Sequence, residues 1–167
     1  MADLLLQERL QPSLLDRLTD EAPGVKHESR QKRVVTVSKL RELMLRDLSW
    51  LFNTTSLGEL KNREEFPHAA RSVLNYGKPD LAGMHIRGAD LEQIEDGVRQ
   101  AILDFEPRIL ARTLKVNLRF VEGQESSRMV QFDIEGSLWC QPIPLRLYLR
   151  SAVDLETGDM LISDFSC

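Results

Sequence analysis

Cysteine is nearly absent from this chain: Cys140 and Cys167 are the only two among 167 residues. That excludes a disulfide framework and a metal-spaced cysteine cluster, and it favours a reducing, cytosolic setting. No long apolar run occurs either. Leu4, Leu5 and Leu6 are followed within two residues by Glu8 and then Arg9, too short a stretch for a signal-peptide core or a membrane span, so direct membrane insertion is not expected. An excess of basic charge is missing as well. The net charge is -4 and the pI about 5.5, which argues against a broad electrostatic footprint for nucleic acid. The basic run at Lys26 to Arg33 is interrupted by Glu28 and reads as a solvated loop. There is no glycine-rich phosphate loop, no Gly-x-Ser-x-Gly elbow and no Cys/His pairing. His68 and His85 lack the i, i+4 spacing of a helical metal site and read as structural or exposed; no cofactor and no metal is expected.

What is present suffices for one core. Apolar residues make up 42% of the chain, enough for a single domain with a short extension. After Pro12, Leu14, Leu15 and Leu18 recur at helical spacing and predict a short amphipathic helix. The polar stretch from Asp20 to Arg33, with Pro23-Gly24, reads as a linker, so residues 1–33 form an extension and 34–167 the domain. A second helix is expected from Ser38 as N-cap, with Leu40, Leu43, Met44, Leu48, Leu51 and Phe52 on one face. Trp50 lies off that stripe and is expected to be packed. Further on, Asn75-Tyr76-Gly77 followed by Pro79 signals a helix end running into a turn, with Gly77 able to take positive φ and Tyr76 buried with its hydroxyl satisfied.

A third helix opens on Asp90 and Gln93, a capping-box-like start, and carries Leu91, Ile94, Val98, Ala101, Ile102 and Phe105 on one side. It runs into Glu106-Pro107-Arg108. Pro107 lacks an N–H and restricts the residue before it, so Glu106 marks the boundary and the carboxylate and guanidinium are held with little freedom. Such a pair is either solvated, or it docks a partner or clamps the helix end to another part of the fold. An enzymatic alternative makes Glu106 the general acid of a peptidoglycan hydrolase opposite Asp104 or Asp133. Arg108 beside it works against that, because a cation favours the ionised form of an acid that must keep its proton.

Beyond Arg108 the apolar period changes from 3.6 to 2. Leu114, Val116, Leu118 and Phe120 alternate with Lys115, Asn117 and Arg119, and Val130, Phe132 and Ile134 with Gln131, Asp133 and Glu135. Gly123 and Ser126-Ser127 between them predict an antiparallel hairpin whose solvent faces, basic and acidic, pair across the strands. Leu145, Leu147 and Leu149 give a third strand, and Met160 to Phe165 a fourth after the turn at Glu156 to Asp159. Helices precede strands, so the expected class is α+β, with N-terminal helices packed on a C-terminal antiparallel sheet of about four strands. An uncovered C-terminal edge strand can accept a strand from another chain.

Three ordered segments also carry a family likeness. Asp47-Leu48 with Leu51-Phe52-Asn53-Thr54, then Ser72 to Leu81 around Asn75-Tyr76-Gly77, then Ile102 to Leu110 around Glu106-Pro107-Arg108 resemble the phage T4 baseplate wedge "lysozyme-like" family. The segment Pro12 to Leu18 is similar to the start of its members from type VI secretion systems. The resemblance covers roughly Val34 to Phe165; Phe52 and Thr55 depart from it mildly, where Leu and Arg are common. It implies a structural protein of a contractile injection machine, not an enzyme. Its implied partners are baseplate wedge subunits, bound through Glu106, Pro107 and Arg108, and sheath subunits, which assemble by strand exchange. It implies a location in the cytoplasm at a baseplate docked on the inner membrane.

Overall fold

A computed structural model describes residues 13–19, 23–24, 35–57, 66–82, 91–120, 129–139 and 144–164. The elements are α1 (Leu14–Leu18), α2 (Val37–Phe52), α3 (Pro67–Ala70), a 3-10 turn at Val73–Asn75, α4 (Leu91–Phe105), a second 3-10 turn at Ala111–Thr113, and strands β1 (Lys115–Phe120), β2 (Met129–Leu138), β3 (Leu145–Asp154) and β4 (Met160–Asp164). The class is α+β, with helices before a four-stranded sheet.

α2 buries all six stripe residues expected of it. It starts two residues earlier than Ser38 suggests: Thr36 is the N-cap, its Oγ1 accepting from the Lys39 N–H at 3.2 Å. Thr36 and Ser38 are both capping residue types, and the helix uses the earlier one. α4 buries Ile94, Val98, Ala101 and Ile102. Its proposed cap Asp90 lies outside the described residues, as do His85, Gly123, Pro142 and all of the Asp20 to Arg33 linker except Pro23-Gly24.

The sheet is a meander in the order β1-β2-β3-β4, antiparallel throughout, so β1 and β4 are its edges. One face meets the helices through Val116, Val130, Phe132, Ile134, Leu147, Leu149, Val153 and Met160, which join Met44, Leu48, Phe52, Val98 and Ile102 in one core. At about 1.5–3 kcal/mol for each large apolar side chain removed from water, this layer contact supplies most of the drive to fold. The hairpin register sets Lys115 opposite Glu135 and Asn117 opposite Asp133.

The opposite face differs from a simple alternation at one place. Asp133 points away from the core yet is only 1% exposed. Arg150, its cross-strand neighbour on β3, donates from Nε to Oδ1 at 3.1 Å, and Arg119 Nε lies 3.1 Å from Oδ2. The charge pairing expected between β1 and β2 therefore recruits β3, and the two arginine stems cover the carboxylate.

Candidate functional site

The turn after α4 is tied down from two directions. Its backbone is stitched to the end of β2: Trp139 N–H donates to Arg108 C=O at 2.7 Å, and Leu110 N–H to Ser137 C=O at 2.9 Å. Glu106 N–H still reaches Ile102 C=O at 2.8 Å, so the helical path persists until Pro107 ends it. The side chains are tied to α2. Arg108 Nε donates to Glu106 Oε1 at 2.7 Å and Nη2 to Glu106 Oε2, while Nη2 also meets Asp47 Oδ2 at 2.6 Å. Glu106 is 4% exposed, so a solvated pair is excluded and the helix-end clamp is what forms.

The network continues past Asp47. Its Oδ1 accepts from Arg46 Nε and Nη2 at 2.9 and 2.7 Å, Arg46 Nη2 also reaches Asp16 Oδ1 at 2.8 Å, and Ser13 Oγ donates to Asp16 Oδ2 at 2.6 Å. A single relay of alternating charge thus runs from α1 to the turn after α4. Burial acts to lower the pKa of Arg108, but hydrogen bonds and charge from Glu106, then Asp47, outweigh it and raise the guanidinium above its ordinary value. Burial also opposes ionisation of Asp16, and Ser13 and Arg46 reverse it, leaving that carboxyl below its ordinary range.

Beside the relay lies a groove of about 490 Å³ whose walls include Leu15, Leu48, Trp50, Tyr76, Phe105 and Arg108. Tyr76 meets Phe105 edge-on at 5.1 Å between ring centroids. The phenol is half-buried rather than enclosed, and its hydroxyl has no hydrogen-bond partner among the described residues. Burial, then the charges of Asp47 and Glu106, raise its pKa, so it remains a proton donor facing the groove. Its neighbours serve it from behind. Asn75 is buried and donates from Nδ2 to Ala70 C=O at 3.0 Å, and Gly77 takes φ 130° where a Cβ would strike the Thr54 carbonyl. Lys78 can then exchange backbone hydrogen bonds with Thr54 and Ser56 at 2.9 and 2.8 Å.

The structure therefore brings Tyr76, Glu106, Pro107 and Arg108 to one groove and sets Asn75 and Gly77 behind it. Pro107 is exposed; Glu106 is not. Trp50 reverses the expectation of packing: it is 50% exposed, with the Arg46 guanidinium 4.8 Å above its ring. An aromatic held by a cation can stay at the surface without a core contact. Asp16, Arg46 and Asp47 are absent from the expected site; the i, i+4 spacing of Arg46 and Trp50 is a sequence signal for Arg46, whereas Asp16 joins it from 30 residues away.

Hydrolase geometry does not form. Both Glu106 oxygens accept from Arg108, Asp104 accepts from Gln100 at 2.9 Å, and Asp133 lies under Arg119 and Arg150 on the sheet. Among the described residues no group of three or more His, Cys, Asp or Glu side chains is arranged to hold a metal ion, and no helix is long and apolar enough to cross a membrane.

A family model described as baseplate wedge protein gp25 matches residues 38–143, more than half of the chain. The chain belongs to the baseplate wedge protein gp25 family. The matched span runs from α2 through β2 and includes Asp47, Asn75-Tyr76-Gly77 and Glu106-Pro107-Arg108, while α1, β3 and β4 lie outside it. No curated protein and no solved structure matches the chain significantly. Members of the gp25 family are structural components of phage-tail-like baseplates, and such a role needs partner-binding surfaces rather than a reaction centre.

Proposed function

We propose that this chain is a baseplate subunit of a type VI secretion system, of the TssE kind. In this reading it docks on other wedge subunits through the turn Glu106-Pro107-Arg108 and starts the contractile sheath by adding a strand at β4. It works in the cytoplasm, at a baseplate docked on the inner membrane. The observation that supports the docking reading best is a rigid turn with an exposed Pro107 beside an open groove rimmed by half-exposed Trp50. Backbone bonds to β2 and the ion pairs to α2 order this surface before any partner arrives, which lowers the entropic cost of binding. Trp and Arg are also the side chains that most often dominate binding energy at such surfaces. The secretion-system branch is supported by α1, whose Ser13, Leu15 and Asp16 meet the groove and the relay.

The test is a pull-down of the tagged chain from its native host, with bound proteins identified by mass spectrometry. Wild type is expected to retain wedge and sheath subunits, and Trp50→Ala, which removes no core contact, to lose the wedge subunits alone. A well-folded wild type that retains neither overturns the proposal. Clearing of cell-wall material by the purified chain in a zymogram would reopen the hydrolase reading.

A further inference from the structure

The exposed edge of β4 carries an unusual cap. Asn53, the residue that closes α2, turns its side-chain amide onto the Met160 backbone: Oδ1 accepts from Met160 N–H at 2.9 Å and Nδ2 donates to Met160 C=O at 3.0 Å. The orientation of the amide is set by chemistry, because only oxygen can accept from that N–H. These two bonds are the unit that one residue of a neighbouring strand makes in an antiparallel ladder. Asn53 thus stands where a fifth strand would begin.

The ladder shows which groups remain beyond it. Asp154 N–H donates to Asp159 C=O at 3.0 Å, and Met160 faces Val153 one step on. Hydrogen-bonded and non-hydrogen-bonded pairs alternate, so Met160, Ile162 and Asp164 turn their backbone groups outward, away from β3. Met160 is taken by Asn53, and the next outward pair belongs to Ile162.

We infer that Asn53 is a strand mimic that closes the first position of the β4 edge and so sets the register of a strand added from another chain, which must begin pairing at Ile162. The inference rests on the proposed strand addition at β4. A ladder shifts in steps of two residues if side chains are to keep their faces, so an edge longer by one outward residue admits a second register. Asn53 removes that choice, and it also shortens the edge available to unwanted chains.

The test places a photo-crosslinking amino acid at Leu161, which is exposed on the solvent face, in the full-length chain assembled with the sheath subunit. Wild type is expected to crosslink at one site. Asn53→Gly deletes the amide while suiting a helix C-terminus, and Asn53→Ala is its companion; both are expected to add a second site displaced by two residues, and to lose hydrogen-exchange protection of the Met160 amide. Ile162→Pro, with folding verified by circular dichroism, is expected to lose the crosslink. If both Asn53 variants keep one site while Ile162→Pro loses it, the register inference falls and strand addition stands. If Ile162→Pro crosslinks as wild type does, or if wild type gives no crosslink, strand addition itself falls and the register inference with it.

Discussion

Arg108, on the turn after α4, and Asp47, on α2, are joined across 61 positions of sequence by a 2.6 Å hydrogen bond from Nη2 to Oδ2. Asp47 also accepts from Arg46, so one half-buried carboxylate orders both the turn and the cation that covers Trp50. Fixing these groups relative to each other is what turns a helix end into a defined surface.

Removing either acid from this relay leaves a guanidinium short of partners. Asp47→Ala is expected to cost about 1–3 kcal/mol, since the pair is partly solvated. Glu106→Ala is expected to cost more, because that carboxylate is buried and satisfies three Arg108 nitrogens, the backbone N–H among them. At about 2–4 °C per kcal/mol, melting temperatures should rank wild type above Asp47→Ala above Glu106→Ala. Because Glu106 is buried, loss of partner binding in Glu106→Ala has to be read beside its loss of stability. A Glu106→Ala protein that melts with wild type would remove this structural role.

Gly77→Ala should destabilise by about 2–4 kcal/mol, read as a lowered urea midpoint with an unchanged slope. The backbone at φ 130° suits glycine, and a Cβ would also lie 2.7 Å from Ser56 N. The exchange of hydrogen bonds between Lys78 and the Thr54–Ser56 segment would have to open. A midpoint equal to wild type would show that this segment moves aside freely.

Lys78 gives a pH-dependent prediction. It is buried, and burial lowers its pKa from 10.5 against the opposing pull of Asp80 and Asp159. The unfolded chain therefore holds the proton more tightly than the folded one, and stability rises with pH between the folded pKa and 10.5. Below that window the cost of a buried ammonium is present in full; across it the cost is relieved. Lys78→Met should accordingly be more stable than wild type near neutrality, with the difference shrinking as pH rises through the window, measured by urea unfolding at several pH values. A difference that stays constant with pH would place the ammonium in contact with water or a counter-ion in the folded state.

What the sequence by itself determined is local. The six-residue stripe of α2, the face of α4, the hairpin of β1 and β2 and the permissive turn at Gly77 follow from periods of 3.6 and 2 and from the backbone freedom of single residues, none of which needs knowledge of a distant neighbour. The helix boundary at Pro107 follows from a missing N–H. Tertiary structure decided the environment of each polar group, because burial and charge pairing depend on residues far apart in the chain. Trp50 stays half-exposed at the rim of the groove, where Arg46 rather than the core holds its ring; Asp133 is buried because two neighbouring strands each lend an arginine. The sequence leaves Glu106 and Arg108 open as a solvated pair, a docking pair or a clamp, and α2 forms the clamp by bringing Asp47 against them. Asn53 closes α2, and it becomes the cap of a strand edge only because folding sets Met160, 107 residues later, within reach of its amide.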